Sequence, residues 1–358
     1  MQLKGSIPLN PLSHRLLIGF LFIMLMSPIL INLSMANDTP LLTALLSHIG
    51  YLWMGALFLF FSLHLMFDIF HGLCALASRF ISPFILKIIP GNRLSLSITL
   101  LMVMMIVFYG VFEANKIRVK RVVMKTKKLP SEITSLRIVQ ISDIHFSPTV
   151  SVRMAKKIVK TIEGISPDIL VSTGDFIDRG LYGKEKVAAL FHKLNVPYGK
   201  YAVMGNHEFY TGIEESVGFT EKAGFRMLRN EGVTAGDVVN VAGVDDPTGK
   251  RPGNPPPSED TIIRGFSNGK LTILLKHQPT VIREGNPGFD LQLSGHTHKG
   301  QIFPFGLISS RFFPYHSGLF KVGEVAHLYV NRGTGTWGPP MRFLAPPEIT
   351  VISFYPLL

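Results

Sequence analysis

Apolar residues fall into two patterns along this chain. Up to about residue 114 they form long runs. The runs 16–33, 41–67 and 94–112 contain no Asp, Glu, Lys or Arg, and each is long enough for a helix to cross a hydrocarbon core of about 30 Å. The stretch 69–89 is less uniform, because Arg79, Pro83 and Lys87 interrupt it. It is predicted as a fourth helix, either spanning with a snorkelling arginine or lying at the interface. The pattern predicts a transmembrane α-helical region over 1–114, with helices at 16–33, 41–67, 69–89 and 94–112.

Beyond residue 115 the apolar runs are short and stop in Gly-rich, polar punctuation. In 117–124 apolar and basic residues alternate, as in a strand with one wet face. The segments 136–141, 168–172, 201–204, 238–242, 271–275, 291–293, 327–330 and 349–354 read as strands. The segments 152–164 and 184–194 carry helical spacing. Strand–helix alternation followed by strands predicts one α/β sandwich domain over 115–358. The segment 246–260, with five prolines, reads as a surface loop.

Charge sharpens this division. Only 17% of the 358 residues are charged, and residues 1–114 hold five basic and three acidic ones. The remainder holds 31 and 21, so nearly all of the net +12 lies in the second region. There is no aromatic–basic repeat of the kind that single-strand binders use. Membrane lipids are therefore the expected partner, and no nucleic acid is expected. Lys116, Arg118, Lys120, Arg121, Lys125, Lys127 and Lys128 follow the last long run, and Lys4 and Arg15 precede the first. Both flanks read as cytoplasmic, which asks for an even number of crossings; four satisfies it. The lone Cys74 excludes a disulfide scaffold and a Cys-rich zinc site.

The chemistry sits where strands stop. Asp143 and His145, Asp175, Asn206, His277, and His296 and His298 each follow a short apolar run. In extended chain, residues i and i+2 point the same way, so Asp143/His145 and His296/His298 are expected to form two gripping pairs. Neither pair alone is distinctive; five such placements beside glycines are. The mixed Asp/His/Asn set suits Mn, Fe or Zn better than Ca.

In order, ISDIH (141–145), GDFIDRG (174–180), GNHE (205–208), LLKHQP (274–279) and GHTH (295–298) resemble the five motifs of calcineurin-like metallophosphoesterases. The likeness runs from about residue 118 to the end of the chain. The segments GHTHKGQI (295–302) and VNRGTGTWGPPMRFLAPPEI (330–349) are similar to the bacterial, membrane-attached YkuE/YaeI-like branch, itself similar to some UDP-diacylglucosamine pyrophosphatases. This resemblance implies a β-sandwich of two mixed sheets flanked by helices, and two divalent metal ions (Mn, Fe or Zn). Asp143, His145, Asp175 and His298 would hold one ion. Asp175, Asn206, His277 and His296 would hold the other, with Asp175 bridging. His207 would protonate or stabilise the leaving oxygen, Asp178 would orient His207, and Arg179 would hold a phosphate oxygen.

The implied activity is hydrolysis of a phosphodiester or pyrophosphate bond at the inner membrane, with the catalytic domain cytoplasmic. A lipid-linked or nucleotide-lipid substrate such as UDP-diacylglucosamine is expected. GDFIDRG and GNHE also resemble protein Ser/Thr phosphatases, which keeps a phosphomonoesterase as one alternative. A non-catalytic, metal-stabilised membrane scaffold is the other; it would be favoured by a missing ligand, and none is missing. Glu208 is expected to be structural, and His316, Arg332 and Arg342 are not expected to act.

Overall fold

The computed structural model of the chain describes residues 10–249, 258–266, 269–282 and 288–357. Most of the predicted proline-rich loop, 250–257, lies outside them. The chain divides into two compact units, Met1–Phe112 with Gly338–Met341, and Glu113–Trp337 with Arg342–Leu358.

In the first unit α1 (Pro11–Leu25) and α2 (Ser27–Ala36) meet at a bend of 51°. Pro28 lies just past the bend, and its missing N–H leaves the Met24 carbonyl without a helical donor. The helix α3 (Pro40–Phe80) follows, then a single 3₁₀ stretch (Pro83–Ile88) and α4 (Asn92–Ala114). Ser27, Ile31 and Ser34 of α2 and Thr43, Ser47 and Gly50 of α3 are buried, and Thr43 Oγ1 donates to Ser34 Oγ at 2.9 Å. A Cβ on Gly50 would meet Ser27 Cβ at 2.8 Å, the close approach that small residues permit between helices in lipid.

The predicted helix 69–89 does not exist as a separate element. Its first part continues α3, because no proline breaks the chain between Pro40 and Pro83. At about 1.5 Å per residue α3 is roughly 60 Å long, so one helix absorbs 41–67 and the first part of 69–89. α3 and α4 are long and apolar enough to cross a membrane; the bent α1–α2 pair makes a third span if taken as one. Among the described residues the count is two or three, against the four predicted. Two still satisfies the even number that the basic flank asks for.

The second unit is an α/β sandwich of two six-stranded mixed sheets. Its strands are β1 (Arg118–Thr126), β2 (Leu136–Ile141), β3 (Ile169–Ser172), β4 (Lys200–Ala202), β5 (Arg226–Met227), β6 (Glu231–Ala235), β7 (Val239–Val244), β8 (Leu271–Lys276), β9 (Leu291–Ser294), β10 (Gly318–Lys321), β11 (His327–Val330) and β12 (Glu348–Pro356). The helices are α5 (Val152–Ile165), α6 (Lys184–His192), α7 (Asn206–Thr211), α8 (Ile213–Lys222), α9 (Glu259–Arg264) and α10 (Phe305–Phe312). One sheet runs β1-β12-β2-β3-β4-β5, the other β10-β11-β9-β8-β7-β6.

Period-two alternation assigns the faces. In β2, Leu136 and Ile138 join Ile169, Val171, Val241, Ile273 and Ile352 between the sheets, while Val139 and Ile141 face the helices. On α5, Ala155, Ile158, Val159, Ile162 and Ile165 recur at helical spacing and cover that outer face. Ile352 is fully buried between the sheets. Ile352→Ala is expected to cost about 2–5 kcal/mol in urea unfolding; a loss below about 1 kcal/mol would contradict this packing.

Strands β2, β3 and β4 are parallel to one another, and β8 is parallel to β9. Their carboxyl ends therefore emerge side by side, the usual place for a site in α/β sheets. Gln140 ties the two sheets together there, donating from Nε2 to Thr173 Oγ1 and to the Ser294 carbonyl, each at 2.9 Å.

Candidate metal centre

The loops after β2 and β3 run alongside one another. Asp143 N donates to the Gly174 carbonyl at 3.0 Å and His145 N to the Asp175 carbonyl at 2.9 Å. The strand has ended by this point, so the extended i, i+2 geometry expected for Asp143/His145 does not apply. Asp143, His145, Asp175, His296 and His298 instead have φ of 50°, 53°, 52°, 70° and 49°. Left-handed backbone at a non-glycine residue costs on the order of 1 kcal/mol and persists only where surrounding contacts impose it. Five such residues in one cluster show a backbone bent to aim side chains inward. Glycine makes room: a Cβ on Gly205 would collide with the Asp175 carboxylate, and one on Gly295 with Ser142 and Asp143.

These side chains converge although up to 155 residues separate them in sequence, as between Asp143 and His298. Asp143, His145 and His298 form one group with mutually close donor atoms, and Asp175, His277 and His296 form another. Asn206 joins the second group, its Oδ1 lying 3.1 Å from both His277 Nε2 and His296 Nδ1. Asp175 lies between the groups, with Oδ2 3.2 Å from His277 Nε2 and 3.6 Å from His145 Nε2. His207 also comes close enough to group with His145 and Asp175. Its Nδ1 bonds Asp178 Oδ1 at 2.7 Å, which leaves Nε2 as its outward nitrogen. Asp178 reaches His145 Nδ1 as well, at 3.2 Å, so one carboxylate steadies two imidazoles rather than the one expected. Arg179 is exposed and has no hydrogen bond or ion pair among the described residues.

The donor set fits divalent cations. His277 Nδ1 bonds the Thr173 carbonyl at 2.8 Å, and His145 Nδ1 bonds Asp178, so each turns Nε2 inward. His145 Nε2 then faces His298 Nε2 at 3.0 Å, and His277 Nε2 faces His296 Nδ1 at 3.1 Å. Imidazole lone pairs and carboxylate oxygens aimed at common points are what a divalent ion binds. Electrostatics agree. Burial alone would raise Asp143 and Asp175, but His298 and His277 respectively outweigh it and hold both well below the usual carboxylate range. Asp178 is drawn down to about 2 against its burial by His145 and His207. The same carboxylates overcome burial at His145, pushed up to about 9 chiefly by Asp178, and at His277, raised by Asp175. His296 and His298 are pushed down to about 4, by burial above all, and stay neutral.

Two further residues complete the site. Glu208 is buried, and its carboxylate accepts from the backbone N–H groups of Asp175 (2.9 Å), Phe176 (2.6 Å) and Gly205 (2.7 Å). Its structural role is as expected: it pins the loops that carry Asp175 and Asn206. The signal was its position three residues after Gly205, as in a capping box. Arg342 has a place that the sequence does not mark. It is fully buried, donates to the carbonyls of Gly335, Arg332 and Ala345, and places Nη2 3.2 Å from His298 Nδ1. No local pattern marks it, because its partners come from distant turns. His316 bonds Ser309, and Arg332 pairs with Glu348.

Paired metal-binding groups at adjacent strand ends of a two-sheet sandwich define a metallophosphoesterase. Residues 136–300 match the family model of calcineurin-like phosphoesterases. A metallophosphoesterase of Aquifex aeolicus is 38% identical over 68% of this chain and 94% of its own length. YkuE, a metallophosphoesterase of Bacillus subtilis, is 35% identical over 67% of this chain and 86% of its own length. The UDP-2,3-diacylglucosamine pyrophosphatase LpxG of Chlamydia muridarum is 29% identical over 67% and 90% respectively. The chain belongs to the calcineurin-like metallophosphoesterase family, in its YkuE-like branch. It is a metal-dependent phosphoester hydrolase of a family that uses a dinuclear centre.

Proposed function

We propose that this chain is a membrane-anchored phosphodiesterase or pyrophosphatase that cleaves a lipid-linked phosphoester, with its catalytic unit on the cytoplasmic side of the inner membrane. The observation that carries the chemistry is the two metal-binding groups with Asp175 between them, beside the Asp178–His207 couple. Asp143, His145, Asp175 and His298 would hold one divalent ion, and Asp175, Asn206, His277 and His296 would hold the second. When bound, the two ions supply an acidified water and positive charge against the phosphate. In the hydrolysis a water oxygen bonds phosphorus, the bond from phosphorus to the leaving oxygen breaks, and that oxygen takes a proton. His207 is the residue that delivers or shares this proton from Nε2, and Asp178 fixes its ring through Nδ1. Arg179, on the exposed turn after Asp178, takes a nonbridging phosphate oxygen.

Anchorage supports the lipid-linked substrate. Ala114 ends α4 and Arg118 begins β1, so three residues tether the catalytic unit to an apolar helix. The name of the Chlamydia relative is consistent with a nucleotide-lipid, and the basic flank 116–128 supports the cytoplasmic side. The test uses full-length protein in detergent with Mn. It compares p-nitrophenyl phosphate, bis(p-nitrophenyl) phosphate and UDP-2,3-diacylglucosamine. Diester or pyrophosphate cleavage is expected to exceed monoester cleavage, and His207→Ala to slow it about 10²–10⁴-fold with unchanged metal content. Absence of turnover with two ions bound per chain would overturn the reading.

A further inference from the structure

The helix α10 wears its amphipathicity inside out. Gly306, Ser309 and Phe313, at positions i, i+3 and i+7, are the half-buried ones, while Leu307, Ile308 and Phe312 are 66%, 53% and 74% exposed. No residue of α10 is fully buried. A surface helix normally turns its apolar stripe to the core and its small or polar residues to water.

This reversal is held rigidly against the metal centre. Gly300, with φ of 74°, approaches so closely that a Cβ there would collide with the backbone of Gly306. Thr297 Oγ1 donates to the His316 carbonyl at 2.7 Å, and His316 Nε2 bonds Ser309 Oγ at 2.7 Å. Thr297 stands between His296 and His298, so α10 is tied directly to the loop that aims them. Phe313 carries the apolar surface into the site, with its ring edge-on to His296 at 4.8 Å. On the other flank, Trp337 is 53% exposed and lies 5.8 Å from the His207 ring. Gln301 fixes the Trp337 backbone, accepting from its N–H at 2.9 Å and donating to its carbonyl at 2.8 Å.

We propose that the outer face of α10, with Leu307, Ile308 and Phe312, binds the hydrocarbon chain of the phospholipid-like substrate whose phosphoester lies at the metal centre. The inference rests on the functional reading above and adds where the lipid is read. Three observations favour a lipid chain as occupant. Phe313, at the end of α10, sets an apolar ring against a metal-binding histidine. The unit is tethered three residues from a helix able to cross a membrane. Arg311, exposed among the apolar side chains, is the kind of residue that interfacial helices place at headgroup level.

The experiment compares two diesters with one leaving group, using the full chain with Mn in lipid nanodiscs. One is soluble bis(p-nitrophenyl) phosphate. The other is diacylphosphatidyl-p-nitrophenol, presented as monomeric dihexanoyl lipid and as dioleoyl lipid in the bilayer. For the Leu307→Gln/Ile308→Gln/Phe312→Gln variant, the ratio of lipid to soluble kcat/KM is expected to fall about ten-fold for both lipid forms, as expected from lost apolar contact. Leu307→Met/Ile308→Leu/Phe312→Leu is expected to keep the wild-type ratio. An unchanged ratio in the Gln variant would overturn the proposal. A loss confined to the bilayer form would make α10 a membrane contact and also overturn it. So would a fall in both rates accompanied by a change in oligomeric mass, which would make this face an interface between copies. Wild-type cleavage of the soluble diester alone would sink this inference and leave the phosphodiesterase reading standing, whereas cleavage of neither would sink that reading.

Discussion

Asp175→Asn is expected to fold normally and to lose turnover by about 10³-fold or more. The side chain lies between the two metal-binding groups, touching His277 and His145 with Oδ2 and accepting the His207 N–H with Oδ1 at 2.9 Å. Asparagine keeps the acceptor for that N–H but replaces a negative oxygen with a donor aimed at two imidazole nitrogens. Several kcal/mol of charge stabilisation is the usual contribution of bound metal, and about 1.4 kcal/mol is a factor of ten in rate. Bound Mn, measured by plasma emission, is expected to fall from two towards one per chain. Stability of the metal-free protein is expected to fall, because His277 holds Asp175 well below the usual carboxylate range and Asp175 raises His277 in turn, so removing the charge breaks a favourable buried pair. Full turnover, or two ions retained, would remove Asp175 from the centre of the site.

Glu208→Ala is expected to be the most destabilising single change near the site. Three backbone donors, on Asp175, Phe176 and Gly205, end on this one buried carboxylate. Each buried donor left unmet costs about 1–3 kcal/mol, so a total of about 4 kcal/mol is expected in denaturant unfolding. Glu208→Gln keeps an oxygen acceptor in the same place and is expected to lose less than half of that. The carboxyl itself is pushed up to about 7 by burial and by the Asp175 charge, so it is already under strain as an anion. Metal affinity should fall with stability, because the loops bearing Asp175 and Asn206 are pinned by the same bonds. A loss below about 1 kcal/mol for Ala would mean that water or another group meets those donors.

The segments that were easiest to read are those whose burial imposes a period. LRIVQI becomes β2 over the same residues, and HLYV becomes β11, because central strands covered on both faces must be apolar nearly throughout. Two edge strands escaped, β6 (EGVTA) and β10 (GLFK), which are half exposed and mostly lack an apolar run, whereas the edge strand β1 is legible from its alternation. The helix α10 escaped for the opposite reason, since its apolar residues face outward and mimic no core pattern. Likewise 69–89 reads as separate from 41–67 because Asp68 interrupts the apolar run, whereas backbone hydrogen bonding in α3 runs past it to Phe80.

Sequence alone determined the kinds of element, the two-part division of the chain and the metal-binding residue types at strand ends. Those properties are local: a period of two or 3.6, a charge balance, or a histidine after an apolar run needs no knowledge of distant chain. Only the tertiary structure decided which side chains meet. His145 and His298 face one another because β2 and β9 end on the same edge of the sandwich, and Asp178 serves both His145 and His207 because two loops lie in register. It also decided the left-handed backbone that aims five side chains inward, the burial of Arg342 behind His298, and the outward face of α10. Each of these depends on contacts between segments far apart in sequence, and local patterning records that a face is buried but not what it is buried against.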